Sequence, residues 1–65
     1  MNVFVNNQLG SFPNGQLMIG ASIVPAGDLL DSVIIINDIT ISEMTPVQLP
    51  DLLLEHDEVL EEFKK

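Results

Sequence analysis

The chain has one histidine, His56, in the run "LLLEHDEVLEEF" (52–63), with Glu55, Asp57 and Glu58 beside it. An imidazole among carboxylates can move a proton, serve in a hydrolase triad or ligate a metal. The companions such chemistry needs are scarce. The sequence has no Cys, Tyr, Trp or Arg, so it has no thiolate ligand and no guanidinium to bind an anion. "GSFPNG" (10–15) lacks the Lys and the strand-to-helix setting of a phosphate loop. "DLLD" (28–31) and "HDE" (56–58) lack the ligand spacing of an EF-hand. A zinc site would have to recruit carboxylates from other segments or subunits. The expectation is a chain that is not an enzyme, with no catalytic residue, no cofactor and no metal. His56 is expected to pack at a helix seam with one ring nitrogen hydrogen-bonded. The alternative is a pH-sensitive contact with a symmetry mate.

The distribution of charge narrows the function further. Ten Asp and Glu face two cationic residues, Lys64 and Lys65, giving a net charge of -8. Every acid lies between Asp28 and Glu62, and residues 1–27 have no charged side chain. Nucleic-acid binding depends on Lys and Arg to neutralise phosphates, so DNA and RNA should be repelled. The longest uncharged apolar stretch, 17–27, is about half of the ~20 residues a membrane helix needs. No basic n-region precedes an apolar segment, so the cytoplasm is the expected location. Without cysteine, no disulfide can staple a fold this small. An apolar content of 46% then points to an efficient core or to subunit association.

The elements follow from periodicity and turn residues. "NVFV" (2–5) is a short β-prone run, and "FPNG" (12–15) and "PAGD" (25–28) are turns. "QLMIGASIV" (16–24) alternates like a strand. "SVIIINDITIS" (32–42) keeps its alternation across Asn37 and Asp38, which predicts one long strand with a bulge at Asn37. The rival reading is a turn at those two residues. A loose connector over 45–49 should precede one helix over 50–64, with Pro50 at its first position and Asp51 near its positive end. Leu52, Leu53, His56, Val59, Leu60 and Phe63 share a stripe of that helix, and Leu54 sits opposite among acids.

The sequence thus predicts a single α+β domain: an antiparallel β-meander of three or four strands, then one C-terminal amphipathic helix, completed by homo-oligomerisation. Ile34, Ile36 and His56 are the expected subunit contacts. Leu54, Asp57, Glu58 and Glu61 are the expected contacts to another protein with a basic surface. The expected role is that of a small acidic inhibitor or adaptor, with a phage or mobile-element protein that blocks a host factor as one source of such chains. One alternative is a structural subunit of a larger particle. Another is a small-molecule binder whose pocket forms between subunits near the 10–15 or 25–28 loops.

Overall fold

A computed structural model describes residues 1–64 of the chain. Six antiparallel strands form the main sheet in the order β4-β3-β2-β1-β6-β7. They are β1 (Asn2–Val5), β2 (Gln8–Ser11), β3 (Met18–Ile19), β4 (Ser22–Ile23), β6 (Val33–Asn37) and β7 (Thr40–Met44). A two-stranded ladder joins β5 (Leu29–Leu30) to β8 (Val47–Gln48). Two helices complete the chain, α1 (Leu49–Glu55) and α2 (Asp57–Lys64). The fold is α+β, as expected, with more strands and one more helix than the sequence reading gave.

Both neighbours of β1 are set in register at one corner. Asn6 and Asn7 have φ of 52° and 65°, and Val5 pairs with Gln8 across them. Positive φ at both loop residues is the pattern of a type I′ hairpin turn, which matches the natural twist of the strands. Asn tolerates this region because its short polar side chain bonds locally. Here the bonds reach 25 residues along the chain. The Asn6 side-chain oxygen accepts the backbone N–H of Asp31 at 2.6 Å and of Ser32 at 3.2 Å. The Asn6 N–H donates to the Ser32 carbonyl at 2.8 Å. Val33, the next residue, pairs with Val5 to start the β1–β6 ladder.

The buried face of the sheet follows. Val3, Val5, Val33 and Ile35 point to one side and join Leu17, Leu30, Leu49, Leu52 and Val59 in a single core. Gly10, opposite Val3, leaves a gap on that face. A Cβ there would stand 3.1 Å from the Val3 carbonyl oxygen and 3.3 Å from Leu17 Cδ1. The gap lets Leu17 pack down to 1% exposure.

Three expectations are corrected. Residues 32–42 are not one strand, since Asn37 pairs with Thr40 and Asp38–Ile39 form a two-residue hairpin loop. That turn changes the phase of the alternation. Ile41 pairs with Ile36 on the outer face, whereas an unbroken strand would have put it with Val33 and Ile35. Residues 16–24 are likewise a hairpin, turning at Gly20–Ala21, with Gly20 at φ 61°. Finally, the connector contains β8, and the helix breaks at His56.

That break has a visible backbone cause. His56 takes φ -128° and ψ 94°, which is extended. Its N–H donates to the Leu52 carbonyl and closes α1, while its carbonyl accepts Val59 and Leu60 N–H groups and opens α2. Asp57 and Glu58 fall in the first turn of α2, where the helix dipole favours acids. The second helix packs on the 3₁₀ turn at Pro13–Gly15. Phe63 there meets Phe12 edge to face at 6.1 Å and 77°.

Two substitutions test this account. Gly10→Ala should destabilise the fold by ~1–3 kcal/mol through overpacking against Leu17, read as a lower urea midpoint. Asn6→Ala should cost ~1–2 kcal/mol, because it removes the side-chain acceptor of the exposed Asp31 and part-buried Ser32 N–H groups and strains a positive φ. Unchanged midpoints would refute the corner described here.

Candidate functional site

Alternation on a two-sided sheet creates a second face. With Val3, Val5, Val33 and Ile35 turned inward, the opposite side carries Phe4 from β1, Leu9 from β2, Ile34 and Ile36 from β6, and Ile41 from β7. Met18 and Ile23 extend it across β3 and β4. The helices and Leu17 cover only the inner side. Leu9 is 56% exposed, Ile23 55% and Ile41 70%. Ile39, at the tip of the Asp38–Ile39 turn, is 98% exposed. Glu43 on β7 is the one charged side chain of the outer-face strands. A run of apolar side chains this extended across a sheet is unusual for a free monomer surface.

The helical layer on the other side is different in kind. Asp51, Glu55, Asp57, Glu58, Glu61 and Glu62 lie on α1 and α2, so six of the ten acids are gathered there. Leu54 projects from α1 and is 81% exposed. The four expected partner contacts divide at the helix break, with Leu54 on α1 and Asp57, Glu58 and Glu61 on α2. The break removes the spacing that would have aligned them on one continuous helix face.

The expected subunit contacts also divide. Ile34 and Ile36 are half-buried on the open sheet face. His56 belongs to the helical layer across the sheet, and its side chain is 21% exposed. Its Nδ1 lies 3.4 Å from Glu58 Oε1, a long hydrogen bond when that nitrogen carries the proton. The Glu58 carboxyl is held below the usual carboxylate range, mainly by hydrogen bonding to its own backbone N–H and then by the His56 ring. The pair therefore marks the start of α2.

A shallow cleft of about 410 Å³ lies where the end of β7, the 45–48 segment and α1 meet. Its walls include Leu29, Met44, Pro46 and Gln48, with Asp51 and Glu55 on the helix side. No residue of the 10–15 or 25–28 loops lines it. No group of three or more His, Asp or Glu among the described residues could hold a metal ion. No helix among them is long and apolar enough to cross a membrane.

Leu9, Met18, Ile23 and Ile41 were absent from the sequence-level site. For Leu9, Met18 and Ile23 the signal was the turn chemistry of Asn6–Asn7 and Gly20–Ala21, since each two-residue loop decides which alternate residues share a face, while the Asp38–Ile39 loop that sets Ile41 carries no positive φ. No protein-family model matches the chain, and neither curated proteins nor solved structures give a match.

The lowered Glu58 pKa has a signed consequence. A depressed carboxyl stabilises the fold above the ordinary carboxylate range, and that contribution is lost as pH falls through the depressed value. Glu58→Gln should therefore lower the urea midpoint at pH 7 and converge on the parent as pH drops below about 4. An offset that does not shrink anywhere in the acid range where the parent still folds would show that the ionised Glu58 carboxyl adds nothing to stability.

Proposed function

We propose that this chain is a non-enzymatic protein-interaction module, a small acidic inhibitor or adaptor that works as a homo-oligomer and engages another protein through its helical layer. The observation that carries the reading is Leu54, a large apolar side chain 81% exposed on a layer that holds six of the ten acids. Long-range attraction from the acids speeds encounter with a basic surface, and a desolvated apolar anchor slows its release. The sequence has no Arg and no Lys before Lys64, which lies in the last turn of α2.

A second reading is a structural subunit of a larger assembly. It draws on the open sheet face, which suits repeated contact between copies. Ordered growth beyond a small closed oligomer, without a second protein, favours it.

The test begins with native mass spectrometry of untagged protein from the cells that produce it. The proposal expects a whole number of chains plus one different, basic protein. Leu54→Ala combined with Glu58→Gln should then weaken that complex roughly tenfold or more, about 1.4 kcal/mol, with the circular dichroism spectrum unchanged. Raising salt should slow association, because the attraction is screened. A complex indifferent to both the double substitution and salt would overturn the proposal.

A further inference from the structure

We infer that two copies of this chain pack face to face through the open side of the main sheet, with the Phe4–Leu9 pair close to the two-fold axis. This rests on the homo-oligomer proposed above and adds which surface builds it.

Charge selects the surface. A pairing through the helices would set six acids of one copy against six of the other. The sheet face offers Phe4, Leu9, Ile34, Ile36 and Ile41 instead, with Glu43 confined to β7, the outermost strand. Stacked sheets lie ~10 Å apart. In a face-to-face pair, both sheets separate the two helical layers by more than the Debye length, ~10 Å at 0.1 M salt. Self-association through this face therefore avoids the repulsion that a net charge of -8 imposes elsewhere.

Size sets the strength. Strands of four (β1, β2), two (β3, β4) and five (β6, β7) residues, at ~4.8 Å spacing and ~3.3 Å rise, give a footprint of roughly 350 Å² per copy. That is about a tenth of the 4199 Å² accessible surface. Both copies together would cover roughly 700 Å², less than the ~1,000 Å² of a stable interface, so the dimer is a weak, transient one that forms only at high concentration. Pairing along the free edge of β7 would leave this apolar face in water.

Sheet order sets the axis. β2 and β1 are the two central strands, and Phe4 pairs with Leu9 between them. In an isologous dimer, residues at the centre of the patch meet their own symmetry mates.

Leu9 is 56% exposed, so Leu9→Glu and Leu9→Lys should each fold. In sedimentation at about 100 μM the parent should run at twice the chain mass, falling toward one chain on hundredfold dilution. Each variant alone should run at one chain mass, and an equimolar mixture of the two should recover the dimer. As a second variant, Leu9→Cys introduces the chain's one thiol. With oxidised glutathione it should form a covalent dimer at least tenfold faster than Leu54→Cys, whose thiol lies on the helical layer. A parent of one chain mass at every concentration would overturn both this inference and the oligomer it rests on. A dimeric parent whose Leu9 variants stay dimeric would overturn this face alone. Failure of the mixture to recover, with equal crosslinking of both thiols, would overturn the axis.

Discussion

Asn6 ties the first hairpin to the start of β6. Its positive φ closes the β1–β2 hairpin, and its side-chain oxygen and N–H hold Asp31 and Ser32 immediately before β6. One residue thus fixes the position of β1 against both neighbours. In a sheet with apolar residues on both sides, hydrophobicity alone specifies register poorly, because a slip by one residue exchanges one apolar face for the other. The hydrogen bonds of Asn6 break that near-degeneracy. Val3, Val5 and Val33 are turned inward, and Phe4 and Ile34 outward, as a consequence.

Once the faces are assigned, charge follows the same division. The first 27 residues have no charged side chain and supply four of the six strands in the main sheet. The last 15 described residues, 50–64, hold six of the ten acids and form most of the helical layer. The molecule is therefore polarised across the sheet, apolar with the single acid Glu43 on one side and acidic on the other. This polarity comes from chain order combined with topology, since the helices return across the face opposite Phe4 and Ile36.

The coarse architecture was legible in the sequence, and the phase of its strands was not. Helical periodicity marked Leu52 and Val59, both fully buried, and Pro50 lies at the start of α1 because its missing N–H costs nothing there. "FPNG" and "PAGD" are turns, the second closed by Asp28 N–H to the Pro25 carbonyl. Alternation failed wherever a two-residue loop was embedded in an apolar run. "IIINDITI" reads as one phase-preserving strand if Asn37 and Asp38 are counted as strand residues. Neither Asp38 nor Ile39 takes the positive φ that marks a strong hairpin signal. The Asn6 contacts to residues 31 and 32 were beyond reach, because nothing local in a sequence encodes a bond across 25 residues. The break at His56 was equally hidden, since "EHDE" satisfies helical spacing either as one helix or as the end of one and the start of another.

Why the helices cover the valine face follows from volume. The inner face carries Val3, Val5, Val33 and Ile35 and the outer face Phe4, Ile34 and Ile36, whose burial would remove somewhat more apolar area from water. Close packing decides otherwise. Gly10 opens a recess beside Val3 on the inner side alone, and Leu17 fills it at 3.3 Å from where a Cβ would stand. The β-branched valines give that face a low relief on which Leu52 and Val59 pack to 0% exposure. The outer face has no glycine recess at its centre, where the Phe4 and Leu9 side chains pair across β1 and β2. That face therefore keeps Leu9 and Ile41 exposed and Phe4, Ile34 and Ile36 half-buried.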